Sequence, residues 1–541
     1  MRIEIYDTTL RDGTQGEQIA FTASEKLKAA ALLDALGVDL IEGGWPGANP
    51  RDSEFFQRAR GLSLAHARLA AFGSTAHPNA APENDANLRA LLDAETEVVT
   101  IFGKSWTLHV EQALGISREE NLRLVEASVK RLARAGREVI FDAEHFFDGY
   151  RAAPDYALAV LRAARDGGAC RLVLCDTNGG SLPEFIAAAT TAAIRTLPSA
   201  RMGIHPHNDC DLGAANALAA IAAGATHVQG TFNGWGERCG NASLCSLLPL
   251  LELKLGHETI GRERLRQLEP VARQLAELAG VPLHHRLPFV GASAFAHKGG
   301  IHVSAVRRLP ASYEHIEPEA VGNQRRILVS DLAGRSNIQE KARELGMELD
   351  AHQAAAVTQA IKQREHAGYE LEGADGTLAL LLAQHTEAGA PPFQGLRFEI
   401  VSRYAEPEAA TVATASATGD ISTPPPHAWP VAAGASEARV WLRVQGKLVE
   451  ATAQEDSGPV AALDRALRAA LSGPYPQLQD VVLTDYKVRI LEGSRGTRAR
   501  VRVRVESSDG RRSWVTVGVS DNILEASWEA LLESFACHLR N

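Results

Sequence analysis

Residues 1–44, MRIEIYDTTLRDGTQGEQIAFTASEKLKAAALLDALGVDLIEGG, contain two short apolar runs separated by a helical pattern. The runs Ile3–Asp7 and Asp39–Gly43 have the length and apolar content of buried parallel strands. Between them, Thr22 and Glu25 predict a capping box at the start of a helix, and a glycine before the second run predicts its end. The stretch therefore predicts a strand–helix–strand unit.

The same alternation of strand and helix continues over the first 240 or so residues. It predicts six further strands, at Leu69–Gly73, Val98–Phe102, Val139–Ala143, Leu172–Asp176, Met202–Pro206 and His227–Phe232. Eight such alternations in about 250 residues are typical of a closed α/β barrel of the (β/α)8 TIM type. An open doubly wound sheet is the competing architecture. The count of eight favours the barrel.

The pattern changes twice in the rest of the chain. Helical spacing of apolar residues predicts a mostly helical linker region over residues 265–392 that follows a catalytic barrel over residues 1–264. From residue 393 to 541 a period of two returns, as in Arg500–Val505, and helical segments follow the strands. These features predict a separate C-terminal α+β domain in which strands followed by a helix occur twice. Within it, residues 411–435 are rich in Ala, Thr, Ser and Pro and predict a flexible loop to which we assign no function.

Composition excludes several classes of protein. The 541 residues are 45% hydrophobic and 23% charged, as in globular proteins. The 56 Lys and Arg against 66 Asp and Glu give a net charge of −10, which argues against nucleic-acid binding and anionic membranes. The six cysteines contain no C-x-x-C pair, and no apolar run reaches the roughly 18–20 residues of a membrane helix. We expect a cytoplasmic protein.

Polar side chains collect at the predicted carboxyl ends of the strands. In a parallel barrel these ends meet at one mouth, where active sites are built. The residues concerned follow strands one, two, five, six, seven and eight: Arg11, Asp12, Glu42, Glu144, Thr177, His205, His207 and Asn241. The sequence therefore predicts an active site at the barrel mouth.

His205 and His207 predict a metal site. They flank Pro206 at the end of strand seven, and residues i and i+2 of a strand face the same side. Together with Asp12 and Asn241 they form a mixed nitrogen and oxygen set that suits Mn²⁺, Zn²⁺, Co²⁺ or Mg²⁺. An H-x-H motif alone fits two surface histidines better, but the shared mouth reverses that preference.

Arg11 lies beside Asp12 in the motif Asp7–Gly13. An exposed Arg–Asp pair is common and contributes little, yet at a strand end the guanidinium would stabilise negative charge on a metal-bound oxygen. Glu42 fits two interpretations equally well, a group that holds Arg11 in place or a solvated or helix-capping carboxylate. The glycine-rich stretch Gly234–Asn241 lacks the spacing of a dinucleotide-binding loop and predicts none.

Several long motifs carry a family resemblance. They are DTTLRDG at Asp7–Gly13, HPHND at His205–Asp209, GERCGN at Gly236–Asn241, GGIH at Gly299–His302 and YEHI at Tyr313–Ile316. With these motifs the chain resembles the metal-dependent acyltransferase barrels that include 2-isopropylmalate, homocitrate and citramalate synthases. Further matches extend to SGPVAALDRAL, LTDYKVRIL and WVTVGVSDNILEASWEAL in the C-terminal region, so the resemblance covers nearly the whole chain. EGGWPGANP at Glu42–Pro50 resembles the long-form citramalate synthases of that family.

The resemblance implies a metal-dependent Claisen condensation of acetyl-CoA with pyruvate, followed by thioester hydrolysis to (R)-citramalate and CoA. This reaction serves threonine-independent isoleucine biosynthesis. It implies a metal held by Asp12, His205 and His207, with Asn241 as a fourth ligand. Arg11 would bind the keto oxygen of pyruvate and Thr177 its carboxylate. The base is left open between two candidates: Glu144, at the mouth, and His302 paired with Tyr313, whose family counterparts reach the site from a neighbouring subunit.

The C-terminal domain resembles the dimerisation and feedback-regulation domain of the same enzymes. This implies a homodimer with isoleucine as a possible effector, and dimerisation alone is the alternative. The runner-up activity is that of 2-isopropylmalate synthase, which acts on 2-oxoisovalerate in leucine biosynthesis. A different class is a catalytically inactive amino-acid sensor. The intact residues Arg11, Asp12, His205, His207 and Glu144 argue against a sensor, which needs none of them.

Overall fold

The computed structural model describes residues 1–330, 333–386, 391–404 and 434–540. They form two compact units, one of Met1–Ala296 with Glu314–Arg326 and one of His297–Tyr313 with Ile327–Asn541. The first unit continues beyond the predicted end of the barrel domain at residue 264. The division into three domains remains a prediction.

The first unit contains a closed barrel of eight parallel strands, in which each strand pairs with its neighbours in sequence and β1 pairs with β8. The strands are β1 Glu4–Asp7, β2 Leu40–Gly44, β3 Arg68–Ser74, β4 Val98–Lys104, β5 Glu138–Glu144, β6 Arg171–Asp176, β7 Arg201–Pro206 and β8 His227–Gly230. The predicted TIM barrel is thus confirmed. The predicted end of the last strand at Phe232 is wrong, because Asn233 has a φ of 58° and the chain turns there.

Helices surround the barrel. They are α1 Ala23–Leu36, α2 Pro50–Ala59, α3 Ala86–Asp93, α4 Arg118–Arg134, α5 Phe146–Ala152, α6 Pro154–Gly167, α7 Pro183–Thr196, α8 Gly213–Ala222, α9 Leu244–Pro249, α10 Arg262–Leu265 and α11 Leu268–Leu278. The predicted capping box at the start of α1 is present, since the Thr22 hydroxyl accepts from Glu25 N and the Glu25 carboxylate accepts from Thr22 N. Gly37 ends α1 with a φ of 91°, in the left-handed region that glycine adopts without strain.

Two layers of buried side chains hold the barrel. A large apolar core lies between strands and helices, and a smaller separate cluster consists of Tyr6, Leu40, Ala70, Val98, Ile140, Val173 and Cys175. The members of this cluster come from six strands, so they fill the interior as alternate side chains of a barrel do. The polar residues at the strand ends therefore lie at the mouth of a filled barrel, where water reaches them from one side only.

The second unit contains helices and two antiparallel sheets. Two short strands, β9 Ala296–His297 and β10 Arg326–Ile327, mark where the chain passes between the units. The remaining elements are α12 Gly300–Arg308, α13 Arg335–Glu344, α14 Ala351–His366, α15 Asp375–Gln384, β11 Phe393–Tyr404, β12 Gly434–Val444, β13 Lys447–Glu455, α16 Pro459–Leu471, β14 Val482–Ile490, β15 Val501–Ser508, β16 Ser513–Ser520 and α17 Ile523–Arg540.

The sheets have the orders β11-β12-β13 and β14-β15-β16, and a helix follows each. This arrangement confirms the predicted α+β pattern of strands and then a helix, repeated twice. The predicted loop 411–435 lies outside the described residues, except that its last two residues begin β12. None of the described helices is long and apolar enough to cross a membrane.

Candidate active site at the barrel mouth

A cavity of about 330 Å³ opens at the carboxyl ends of the barrel strands. Six of the residues predicted for the site line this cavity: Arg11, Asp12, Glu144, Thr177, His205 and His207. They come from four separate strand ends and their following loops, so the closed barrel brings together residues that are far apart in sequence. Glu42 and Asn241 do not line the cavity, but each contacts a residue that does.

Asp12, His205 and His207 form a cluster that could hold a metal ion. One potential ligand atom from each residue lies within 4.8 Å of the other two, and all three side chains are buried. His205 Nε2 is 3.1 Å and His207 Nε2 is 4.0 Å from Asp12 Oδ2. Asp12 Oδ1 is buried and has no hydrogen-bond partner. A buried carboxylate oxygen without a partner is costly, and a divalent cation would satisfy it.

The protonation states of Asp12 and His207 favour metal binding. Burial raises the pKa of Asp12, but the charge of Arg11 and the hydrogen bond from His205 outweigh burial and place this pKa well below the usual range. Burial lowers the pKa of His207 to about 4. At neutral pH the carboxylate is therefore ionised and this imidazole neutral, the forms in which both groups bind metals.

Asn241 lies next to the cluster with its amide nitrogen facing it. Asn241 Nδ2 donates to Asp12 Oδ2 at 3.1 Å and is 3.1 Å from His205 Nε2. To act as the predicted fourth ligand, the amide must rotate by about half a turn so that its oxygen faces the cation. Its Oδ1 is 1.9 Å from the position that a Cβ at Gly236 would occupy. Glycine at position 236 therefore makes room for Asn241.

The Arg11 guanidinium contacts three side chains, those of Glu42, Asp12 and Phe72. Its Nε donates to Glu42 Oε1 at 2.6 Å, its Nη1 is 3.4 Å from Asp12 Oδ2, and its Cζ lies 3.6 Å from the centre of the Phe72 ring. Glu42 is fully buried and also accepts from Tyr6 Oη at 2.7 Å. The interpretation of Glu42 as a solvated carboxylate is therefore wrong, because this group contacts the guanidinium inside the barrel.

Glu144 forms an ion pair with Lys104 at the end of the neighbouring strand. Thr177 lies beside it on the cavity wall, where its hydroxyl accepts from His145 N at 2.9 Å. The sequence interpretation did not include Lys104, which ends β4 as Glu144 ends β5. The pair depends on the register of these two strands, which matches Lys104 with Glu144.

Asp142 lines the cavity and was missed by the sequence interpretation. Burial raises its pKa to about 7. It lies two residues before Glu144 on β5, so the period of two places both side chains on the inward face. That period was the signal from which Asp142 could have been found.

Three aromatic side chains form one wall of the cavity. The Trp45 ring is 5.8 Å from the Phe72 ring and 5.7 Å from the Phe102 ring, and both contacts are edge-on. Trp45 Nε1 donates to Asn87 Oδ1 at 2.8 Å, which fixes the indole against the wall. The wall is apolar and faces the charged cluster, so a ligand held here meets ionic groups on one side and aromatic rings on the other.

His302 and Tyr313 belong to the second unit, and their rings stack at 4.3 Å. Tyr313 is 46% exposed. Their predicted contribution to the active site of a neighbouring subunit remains a prediction. The second unit also has a larger cavity, of about 660 Å³, with a lining of mostly charged residues that includes none of the predicted site residues.

Family models match most of the chain. The HMGL-like model matches residues 2–271, the homocitrate synthase post-HMGL domain-like model residues 289–368, and the LeuA allosteric (dimerisation) domain residues 428–537. The order of the three matches follows the barrel, the helical segment and the C-terminal sheets.

Curated relatives match over the full length. The chain is 49% identical to an (R)-citramalate synthase of Aquifex aeolicus over 99% of this chain and 98% of that protein. It is 46% identical to an (R)-citramalate synthase of Geobacter sulfurreducens over 98% of this chain and 96% of that protein. A probable 2-isopropylmalate synthase of Methanopyrus kandleri is 32% identical over 98% and 97% of the two chains. The higher identity to the (R)-citramalate synthases favours their activity over that of the 2-isopropylmalate synthases.

Proposed function

The chain belongs to the (R)-citramalate synthase family, and on that premise we propose that its barrel condenses acetyl-CoA with pyruvate and hydrolyses the thioester to (R)-citramalate and CoA. The observation that carries the proposal is the buried cluster of Asp12, His205 and His207, with Arg11 and Glu144 on the same cavity. This set combines metal ligands, a fixed cation and a carboxylate, which are the groups that an enolate condensation requires.

We propose that Asp12, His205 and His207 hold a divalent ion, namely Mn²⁺, Mg²⁺, Zn²⁺ or Co²⁺, and that Asn241 joins them after rotation of its amide. When bound, such an ion polarises the keto group of a 2-oxo acid and neutralises its carboxylate. The unsatisfied Asp12 Oδ1 supports this assignment.

Arg11 binds the keto oxygen of pyruvate and stabilises the negative charge that grows there during carbon–carbon bond formation. Because Glu42 occupies Nε, the terminal nitrogens of the guanidinium are the donors directed to the substrate. A donor that is fixed before the reaction stabilises developing charge without reorganisation. Thr177 binds the carboxylate through its hydroxyl.

Glu144 is the first candidate for the base that removes a proton from the acetyl-CoA methyl group. This carboxylate lines the cavity and pairs with Lys104, which fixes its position at the mouth. The enolate carbon then attacks the keto carbon, a carbon–carbon bond forms, and the keto oxygen takes up a proton. Water cleaves the thioester and releases CoA. The alternative base is His302 with Tyr313, supplied by a neighbouring subunit.

The aromatic wall suits the methyl group of pyruvate. Trp45, Phe72 and Phe102 close one side of a cavity of only about 330 Å³. A branched side chain such as that of 2-oxoisovalerate needs more room beside the metal cluster, and tight aromatic packing offers little. The wall therefore favours pyruvate over the substrate of 2-isopropylmalate synthases.

Release of the CoA thiol tests the proposed activity. Acetyl-CoA is supplied with Mn²⁺ or Mg²⁺ and with either pyruvate or 2-oxoisovalerate. We expect release with pyruvate and much slower release with 2-oxoisovalerate. The reverse preference would place the chain with the 2-isopropylmalate synthases. Absence of release with both substrates, in a protein purified without stoichiometric divalent metal, would support the inactive sensor instead.

The C-terminal domain supports two further proposals, a homodimer and feedback control by isoleucine. The LeuA allosteric (dimerisation) match covers this region, and its strands expose apolar side chains, among them Leu448 at 68% and Ile490 at 60%. Exposed apolar side chains on a sheet favour association. Light scattering on the intact protein tests the dimer, and CoA release with added isoleucine, leucine or valine tests the effector. We place the enzyme in the cytoplasm, without nucleic-acid or membrane partners.

A further inference from the structure

A chain of buried hydrogen bonds runs through the barrel interior to the candidate metal site. At one end, Glu4 Oε2 lies 2.7 Å from His227 Nδ1. Gln229 Nε2 then lies 3.5 Å from His227 Nε2 and donates to Asp142 Oδ1 at 3.0 Å. At the other end, Gln229 Oε1 lies 2.7 Å from His205 Nδ1. His227 and Gln229 are fully buried, so no water competes for these bonds.

The direction of each bond follows from Glu4. Burial raises the pKa of this carboxyl, but the hydrogen bonds from His227 and Arg171 outweigh burial and place the pKa well below the usual range. Glu4 is therefore ionised and can only accept a hydrogen bond. Because Glu4 accepts, His227 must carry its proton on Nδ1. Burial lowers the pKa of His227, so this ring is neutral and its Nε2 is an acceptor.

The same reasoning continues to the metal ligand. Since His227 Nε2 accepts, the neighbouring atom of Gln229 must be its amide nitrogen, and the donation to Asp142 requires the same orientation. The amide oxygen of Gln229 then faces His205 Nδ1, which must donate to it. When the His205 ring is neutral, its lone pair is thus on Nε2, the nitrogen that faces Asp12 in the candidate metal cluster.

We propose that Gln229 is a positioning residue that fixes the tautomer and ring orientation of His205, and that Glu4 and His227 fix the orientation of Gln229 from the far end of the barrel. A metal-binding histidine needs its second ring nitrogen held by an acceptor, and loss of that acceptor weakens metal binding by about 10- to 100-fold. The inference rests on the proposed metal site. It assigns to Gln229 on β8 a role in the metal site that Gln229 exerts through His205.

The first test measures the tautomer without any metal. Protein labelled with ¹⁵N in histidine is examined by NMR, and the His205 signals are identified by their loss in His205→Asn. We expect His205 to carry its proton on Nδ1 in the wild-type protein and to populate both tautomers in Gln229→Met. A wild-type His205 that is protonated on Nε2 alone, with no proton on Nδ1, would overturn the inference. So would a folded Gln229→Met protein with the wild-type tautomer.

The second test measures Mn²⁺ affinity by titration calorimetry on the same variants. Gln229→Met should bind Mn²⁺ about 10- to 100-fold more weakly, whereas Gln229→Glu keeps an acceptor for His205 Nδ1 and should retain most of the wild-type affinity. Asn216→Met is the matched control, because Asn216 is a buried amide of the same unit that bonds Asp176 and Ser181 instead. Its tautomer and affinity should be those of the wild type.

The outcomes separate this inference from the proposed function. Equal Mn²⁺ affinity in the wild type and a folded Gln229→Met protein would refute the positioning role. Loss of the Nδ1-protonated tautomer in Gln229→Glu would also refute the positioning role. If Gln229→Met does not fold, Gln229→Glu provides the test. A wild-type protein with the expected tautomer and tight Mn²⁺ binding that releases no CoA would contradict the proposed function and support the positioning role.

Discussion

Arg11 and Glu42 form a buried ion pair in which Arg11 Nε donates to Glu42 Oε1 at 2.6 Å. Burial raises the pKa of Glu42, while the charge of Arg11 acts in the opposite direction and favours the ionised carboxylate. Removing one member of a buried pair leaves an uncompensated charge and costs about 3–5 kcal/mol. The pair therefore fixes the position of the Arg11 guanidinium at the barrel mouth. A substitution at Glu42 should disturb that position.

We expect Glu42→Gln to lower kcat while metal binding stays intact. The amide can still accept from Arg11, but it no longer balances the guanidinium charge, so Arg11 is held less firmly at the substrate. Kinetics of CoA release should show a loss of about 10- to 100-fold, with unchanged Mn²⁺ affinity in calorimetry. Glu54→Gln is the control, because Glu54 pairs with Arg58 on an exposed helix surface. A wild-type rate of CoA release in Glu42→Gln would contradict the proposal that Glu42 positions Arg11.

Arg11→Ala should still bind the metal ion but show no measurable turnover. The ligands Asp12, His205 and His207 remain, whereas the fixed donor for the keto oxygen is lost. Removal of one such donor costs about 100- to 1000-fold in kcat, and here the donor also carries a full charge. Atomic emission measures the metal content, and the rate of CoA release measures the turnover. Near-normal turnover would contradict the assignment of Arg11.

Glu144→Gln and Tyr313→Phe distinguish the two candidate bases. If Glu144 is the base, Glu144→Gln should lower kcat by about 100- to 10,000-fold, because general base catalysis contributes that much. Tyr313→Phe should then have a much smaller effect. The measurement is CoA release with pyruvate, together with uptake of deuterium from D₂O into the acetyl methyl group. The opposite order of the two effects would assign the base to His302 and Tyr313.

Trp45→Ala should weaken the preference for pyruvate. The substitution removes the indole that packs on Phe72 and Phe102 and enlarges the cavity next to the metal cluster. A pocket discriminates between substrates that differ by a methylene or two by about 10- to 200-fold, so the ratio of kcat/KM for pyruvate to that for 2-oxoisovalerate should fall by at least about tenfold. An unchanged ratio would show that Trp45 packs against Phe72 and Phe102 but does not determine substrate preference.

Glu138→Gln should reduce stability at neutral pH and reduce the loss of stability on acidification. The burial of Glu138 raises its pKa, but hydrogen bonds from Arg68 and Arg171 outweigh burial and lower it to about 2. The ionised carboxylate therefore stabilises the fold above the unfolded-state pKa of 4.5, and this contribution is lost as the pH falls towards 2.

Thermal unfolding of both proteins between about pH 3 and pH 7 checks this expectation. The Tm of Glu138→Gln should be lower than that of the wild type at neutral pH, and the two values should converge in acid. Glu97→Gln is the control, because Glu97 is 68% exposed and lies 3.5 Å from the same Arg68. Parallel curves for Glu138→Gln and the wild type would contradict the lowered pKa.

The barrel and the composition of its mouth were predictable because both depend on local patterns. A buried parallel strand is short and apolar, and its end is marked by a polar or glycine residue, as at Asp7–Gly13. The period of two also placed His205 and His207 on one side of β7. The same rule was not applied to Asp142 and Glu144, and Asp142 was missed although its signal was present.

Other features could not be read from sequence spacing. The pairing of Glu144 with Lys104 joins neighbouring strands, and its existence depends on the register of β4 and β5, which matches Lys104 with Glu144. The end of β8 before Phe232 depends on a turn in which Thr231 N donates to Ala242 O. Such bonds connect distant segments and leave no local pattern.

The amino-acid sequence by itself determined the eight strand–helix units, the C-terminal pattern of strands followed by a helix that occurs twice, and the residue types at the strand ends. Local periodicity and turn residues encode these features. The tertiary structure alone decided which polar groups meet. Closure of the barrel places Gln229 between His227 and His205, and Glu42 beneath Arg11. Buried donors inside a closed barrel need acceptors, and that requirement depends on distances in space and not on positions along the chain.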